Sequence, residues 1–293
     1  MASAPRSQVQ QKVLFVPRPG GGELYAVVDV PGEASPEQVV VFCSSVFEEQ
    51  NWAYPVVRNC ARRLRDRGIA AVRFDYYATG ESCGASEQFT MREATDDIAT
   101  MSDVARLHFP GAQVVFVGVR VGCRLLLDAV TAASQEPESA PPLILWDPVI
   151  DFHAYLMAEL RKTLAGSMVV FQRAAATRDD IIKETLELGH SERDGLRLNQ
   201  VDGYPVTATL LSEAAAEGGS PPTYPFRGVA ILTDPTPGAA RKLQALNASL
   251  PHAATLIAAE SPYWIQQPIY DQTREQLFRH TEECVAQCRP STK

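Results

Sequence analysis

Apolar positions fall along this chain in short blocks whose period switches between two and about three and a half. Val13-Leu14-Phe15-Val16 and Leu24-Tyr25-Ala26-Val27-Val28-Asp29-Val30 flank Gly20-Gly21-Gly22 and predict an opening hairpin. Val39 to Cys43 is continuously apolar, the pattern of a strand buried on both faces. From Tyr54 to Arg67 the period becomes helical, with Val57, Cys60, Ala61 and Leu64 on one face and Gly68 as the stop. The alternation continues with a strand at Ile69–Asp75, a helix at Phe89–Phe109, a strand at Gln113–Val117 and a helix at Gly122–Ala133. Leu143-Ile144-Leu145-Trp146 then predicts a strand that ends at Asp147-Pro148. Strict alternation after a hairpin implies an α/β fold, a mostly parallel twisted sheet with helices on both faces. Ligands of such sheets gather at the carboxyl ends of the strands.

The rhythm breaks between Asp151 and about Arg227. Long polar helical stretches there carry Arg161, Lys162, Arg178, Asp179, Asp180 and Glu184, and too few apolar residues cluster for a separate core. The expected organisation is a core of residues 1–150 and 228–293 interrupted by an inserted helical lid, 151–227. Gly228–Thr233 and Ala253–Ala258 restore the strand pattern, and Thr273–Gln287 predicts a closing helix.

Between the strand at 113–117 and the helix at 122–133 lies Gly118-Val119-Arg120-Val121-Gly122. A strand, a G-x-S-x-G turn and a helix make a nucleophile elbow, in which glycines allow a sharp turn that exposes the central side chain. Here that side chain is arginine. A guanidinium stays protonated and offers only donors, so it does not attack an acyl carbon. The base position is altered as well. Asp234 and Asp147 are the candidate acids, but Ser261-Pro262-Tyr263-Trp264 follows the last strand where a base is expected. The five histidines, at 108, 153, 190, 252 and 280, all fall elsewhere. Cys43, Ser44, Ser45, Cys83 and Cys123 lack a histidine neighbour, and read as buried small residues or loop residues.

The constellation that remains is ionic. Glu48 and Glu49 follow the third strand, facing the elbow, and either is placed to form a bidentate pair with Arg120. Such a pair orients a substrate anion, poises a carboxylate as general base, or simply locks two loops. Asn51 reads as a pocket donor or as the cap of the following helix. Tyr77, Trp146, Tyr263 and Trp264 are candidates for an aromatic pocket or for core packing. Asp75 reads as loop support, and Asp151 as the cap of a helix from His153.

Composition narrows the class. With 293 residues and 45% hydrophobic positions a sizeable core is available, and a net charge of -8 argues against a nucleic-acid partner. No apolar run reaches the length of a membrane span, and the first residues lack the apolar stretch of a signal peptide. Six scattered cysteines do not form a disulfide framework and suggest a cytoplasmic chain. No metal-ligand spacing and no phosphate-cradling loop is present, so no cofactor is expected.

Phe74-Asp75 followed by Gly80-Glu81-Ser82 and then the glycine elbow resembles the α/β-hydrolase superfamily. More narrowly, the chain resembles the hydrolase-like proteins associated with the exosortase A system of exopolysaccharide-producing bacteria. Phe47-Glu48-Glu49-Gln50-Asn51, the elbow, Leu145 to Asp151, Gly203-Tyr204 and Ser261-Pro262-Tyr263-Trp264 carry that likeness. One branch of that group has an arginine at the elbow. The resemblance implies a hydrolase fold and a place in exopolysaccharide biosynthesis. Two functions are expected from these residues: an enzyme without a serine nucleophile acting on an acyl, ester or glycan-linked small molecule, or an inactive relative that binds an acidic ligand or a protein partner.

Overall fold

A computed structural model describes residues 10–32, 35–133, 137–171, 176–216, 221–233, 239–265 and 274–288. The chain opens with β1 (Gln10–Pro17) and β2 (Glu23–Val30), paired antiparallel across the predicted glycine turn. β3 (Gln38–Cys43), α1 (Glu48–Asp66), β4 (Ala70–Phe74), α2 (Met91–His108), β5 (Gln113–Val119), α3 (Val121–Ala133) and β6 (Leu143–Trp146) then alternate. Eight strands form one sheet in the order β1-β2-β4-β3-β5-β6-β11-β12, where β11 is Gly228–Leu232 and β12 is Ala253–Ile257. Only β1 with β2 and β2 with β4 pair antiparallel; every later pair in this sheet is parallel.

The continuous apolar run of β3 follows from its central place, since both faces of a covered parallel sheet are dry. Its side chains alternate between two cores. Val39, Val41 and Cys43 join the core under α2 and α3, while Val40 and Phe42 join the core under α1 and α8 (Glu275–Gln287). Helices therefore cover both faces, as the alternation predicts.

Between β6 and β11 run α4 (Phe152–Phe171), α5 (Arg178–Leu188), two hairpins and α6 (Ala208–Ala215). The hairpins, β7 (Glu192–Arg193) with β8 (Leu196–Arg197) and β9 (Gln200–Val201) with β10 (Tyr204–Pro205), have strands of two residues each. Phe152, Leu156, Leu160, Val206 and Leu210 of this segment belong to the same buried cluster as Leu145 and Leu232 of the sheet. α7 (Ala239–Ser249) follows β11 and is absent from the sequence-based expectation.

One boundary differs in a way that matters for the site. α1 begins at Glu48, six residues before the predicted start, and runs through Pro55. A proline at that depth resembles a first-turn residue in sequence, but here it lies inside the helix. The Asn51 carbonyl that its missing N–H would have bonded belongs to an exposed residue, so the lost bond is not buried.

Candidate functional site

Three strained residues mark the carboxyl ends of three adjacent strands. Phe47 (φ 57°) follows β3, Arg120 (φ 54°) follows β5 and Asp147 (φ 43°) follows β6. A non-glycine residue in this region costs about 1–3 kcal/mol and persists only where its surroundings fix it. Around Arg120 the fixing is backbone to backbone: its N–H donates to the Trp146 carbonyl at 2.9 Å, and its carbonyl accepts from Cys123 at 3.1 Å and Val149 at 3.2 Å. The flanking glycines are required by proximity. A Cβ on Gly122 would lie 2.1 Å from the Cys43 carbonyl oxygen, and one on Gly118 would lie 2.7 Å from the Cys123 Cα. The strand-turn-helix elbow is thus built as the sequence predicts, with Arg120 at its apex.

The guanidinium is engaged on all three nitrogens. Nη2 donates to Glu49 Oε1 at 2.9 Å and Nε to Glu49 Oε2 at 3.3 Å, while Nη1 donates to the Asp147 carbonyl at 3.1 Å. Its plane stacks on Trp264, 4.2 Å from the ring centroid. Ser45, fully buried, donates its hydroxyl to Glu49 Oε2 at 2.9 Å. Burial disfavours the charge on Arg120, but the Glu49 carboxylate more than offsets it, and the guanidinium pKa is raised. Of the two glutamates it is Glu49 that pairs. Because α1 starts at Glu48, adjacent residues point about 100° apart around the helix, and only one faces the elbow.

The other predicted residues separate into near and far. Glu48 stands beside the pair, accepting from Asn51 Nδ2 at 3.1 Å; the same amide reaches the Tyr204 hydroxyl at 2.8 Å. Asn51 is therefore not a helix cap, since the helix begins three residues before it. Asp147 spends its carboxylate on Thr233, accepting from the backbone N–H and the hydroxyl at 2.9 Å each, which ties the end of β6 to the end of β11. Tyr263 is fully buried behind Trp264, packed edge-on to Trp146, and lines neither of the cavities at Arg120. Its hydroxyl has no hydrogen-bond partner among the described residues, and burial raises its pKa. Tyr77 lies elsewhere, under the Arg18 guanidinium at 4.2 Å with its hydroxyl on Gln88. Its sequence position suggests a pocket wall, but the loop after β4 turns it toward α2, where its backbone N–H donates to Asp97. Asp75 serves its loop, accepting from Gln50 and the Glu81 N–H, and Asp151 caps α4 by accepting from the Ala154 N–H. Asp234 lies outside the described residues.

Two cavities meet at Arg120. One, of about 400 Å³, is walled mainly by Val149, Ile150, Tyr155, Leu232, Ala245 and Leu246 and is largely apolar. The other, of about 600 Å³, is polar and holds Glu48, Glu49, Glu159 and Asp202 with Lys162, between Trp52 and Trp264. The walls contributed by Tyr155, Leu246 and Glu159 escape sequence reasoning because they come from α4 and α7, far along the chain. The i, i+4 pair Tyr155 and Glu159 is the only signal that linked two of them. No histidine lines either cavity among the described residues. Cys43 and Cys123 border the elbow, but burial pushes both thiols up, away from the thiolate form. Among the described residues no cluster could hold a metal ion, and no helix is long and apolar enough to cross a membrane.

The chain is similar in structure to Est1E from Butyrivibrio proteoclasticus with ferulic acid bound, at a TM-score of 0.62 and 14% identity over 94% of this chain and 98% of that one. It is similar to an α/β serine hydrolase without lid from Xanthomonas campestris, at a TM-score of 0.54 and 17% identity over 99% and 100% of the two chains. A third similar structure is mouse alpha/beta hydrolase domain-containing protein 10, at 0.54 and 16% identity over 94% and 99%. No family model matches the sequence, and no curated protein matches it. The fold is that of the α/β hydrolases.

Proposed function

We propose that this hydrolase-like protein binds a small apolar molecule without hydrolysing it. The observation that carries the reading is the state of the elbow: where acyl transfer needs a free nucleophile, Arg120 is held on every nitrogen by Glu49 and the Asp147 carbonyl. No histidine lines the cavities beside it among the described residues, and the adjoining apolar cavity is of ligand size. The motif resemblance at residues 47–51, 118–122 and 145–151 supports a role for this binding in exopolysaccharide biosynthesis.

The experiment exposes the protein to a fluorophosphonate probe and to p-nitrophenyl esters of increasing chain length. No labelling and no turnover above buffer are expected, while longer esters quench tryptophan fluorescence saturably through Trp264. Turnover that disappears in Glu49→Gln would overturn the reading.

An enzymatic reading has one observation in its favour. Glu48 projects into the polar cavity, held by Asn51 and without an ion-pair partner among the described residues, as a general base would be. Turnover lost in Glu48→Gln but kept in Glu49→Gln would establish that alternative.

A further inference from the structure

The charge of Arg120 is the obvious lure for an anionic ligand, and its surroundings argue the opposite. Paired with Glu49, it presents a neutral unit. The polar cavity beside it holds four carboxylates, Glu48, Glu49, Glu159 and Asp202, against two cations, Arg120 and Lys162. Lys162 is itself bound to Glu159 at 2.6 Å and projects mostly into solvent. Once the two ion pairs are set aside, Glu48 and Asp202 remain, and among the described residues the cavity is net negative. An anion entering it meets two uncompensated carboxylates; a cation meets two acceptors.

Two further features face the junction of the cavities. Trp52 is half-buried in the wall of the polar cavity, and no cation lies over its ring among the described residues, so an aromatic partner for a positive group stands in that wall. Tyr155 lines the apolar cavity and is 8% exposed, yet its hydroxyl makes no hydrogen bond to the described residues. A phenol oxygen so placed is an unfilled acceptor, and it feels the charges of Glu49, Glu159, Arg120 and Asp202, which line the polar cavity. α4 joins these features along one face, with Asp151 and Tyr155 on the apolar side and Glu159 and Lys162 on the polar side.

We propose that the ligand is a cationic amphiphile: its apolar chain fills the cavity walled by Val149, Leu232 and Leu246, and its ammonium head sits among Tyr155, Glu48, Asp202 and Trp52. This rests on the binding reading above and adds the class of molecule bound.

The test titrates the full chain near neutral pH with decylamine, decanol and decanoate, each below its micelle concentration, following heat and tryptophan fluorescence. All three carry the same apolar chain, so their differences report the head group alone. Decylamine is expected to bind about tenfold or more tighter than decanol, with decanoate weakest. In the double variant Glu48→Gln, Asp202→Asn the amine falls toward the alcohol while the alcohol keeps its affinity, which also shows that the variant is folded. Ala245→Trp, which fills the apolar cavity, weakens all three alike. Equal affinity for amine and alcohol, or preference for decanoate, overturns the head-group assignment and leaves the binding reading standing. Binding that survives Ala245→Trp places the probes elsewhere and overturns the assignment. If none of the three binds, the binding reading fails with it.

Discussion

An arginine at the apex of a strand-to-helix turn brings a charge that must be neutralised where water is scarce. Its side chain is 16% exposed and that of Glu49 13%, so each partner depends on the other. Removing one leaves a poorly hydrated charge with no counterpart, at a cost of about 2–3 kcal/mol, between the values for exposed and fully buried pairs. Glu49→Gln and Arg120→Met are each expected to lower the unfolding free energy measured in urea by that amount, and the double variant to lose less than the sum. A double-mutant cycle measures the coupling, and single-variant losses below about 0.5 kcal/mol would show the pair to be ornamental. That Arg120 meets a glutamate was readable from sequence; which glutamate was not. The choice depends on where α1 starts, and Pro55 disguises that start by resembling a first-turn residue. The histidine-free stretch after β12 was readable in the same way, but the burial of Tyr263 there was not. Alternation of strands and helices says which residues follow a strand and nothing about how deep they sit.

The elbow as an element keeps its shape with arginine at the apex because its glycines answer to packing and not to chemistry. Gly122 lets α3 approach the end of β3 so closely that any Cβ meets the Cys43 and Ser44 carbonyl oxygens at 2.1 and 2.3 Å. Both obstacles are backbone, so relief requires moving a strand end. Gly122→Ala is therefore expected to destabilise by at least about 3 kcal/mol, the upper part of the overpacking range. Gly166→Ala is the matched control: it lies exposed on α4 with nothing within 4 Å of an added Cβ. That change is expected to stabilise by about 0.4–1 kcal/mol through loss of unfolded-state freedom. Urea melts of both variants check the contrast, and a Gly122→Ala protein of native stability would refute the close approach. The same packing logic explains what sequence reading recovers among elements. Helices and strands that bury a face carry a period, and all those around the sheet up to β6 were legible. The two-residue strands of β7 to β10 carry none, because a period cannot be expressed in two positions.

Whether the segment 151–227 is a mobile cover or part of the body is decided at the scale of the whole molecule. Its polar helices suggest from sequence an insertion without a core of its own. In the fold its apolar residues do not form a second cluster; Phe152, Leu156, Leu160 and Leu210 merge with Leu145 and Leu232 in the core beneath α2 and α3. A segment whose buried surface is shared with the sheet has no stable state without it, because detaching it exposes both sides at once. The segment and the sheet are thus expected to unfold together. The three tryptophans make this measurable, since Trp52, Trp146 and Trp264 all lie outside residues 151–227, and in a Trp52→Phe, Trp264→Phe variant the remaining Trp146, fully buried in β6, reports the sheet alone. Tryptophan fluorescence across a urea titration gives the midpoint for the sheet. Hydrogen exchange of amides in α5 and α6 over the same titration gives the midpoint for the segment. Coincident midpoints follow from a shared core. Amides of α5 and α6 that exchange freely at urea concentrations where tryptophan fluorescence is still native would mean that the segment opens alone, and the apolar cavity would then lose its Tyr155 wall without the sheet unfolding. In that case ligand affinity would fall with urea ahead of the fluorescence transition, so the binding measurement and the unfolding measurement check each other on one sample.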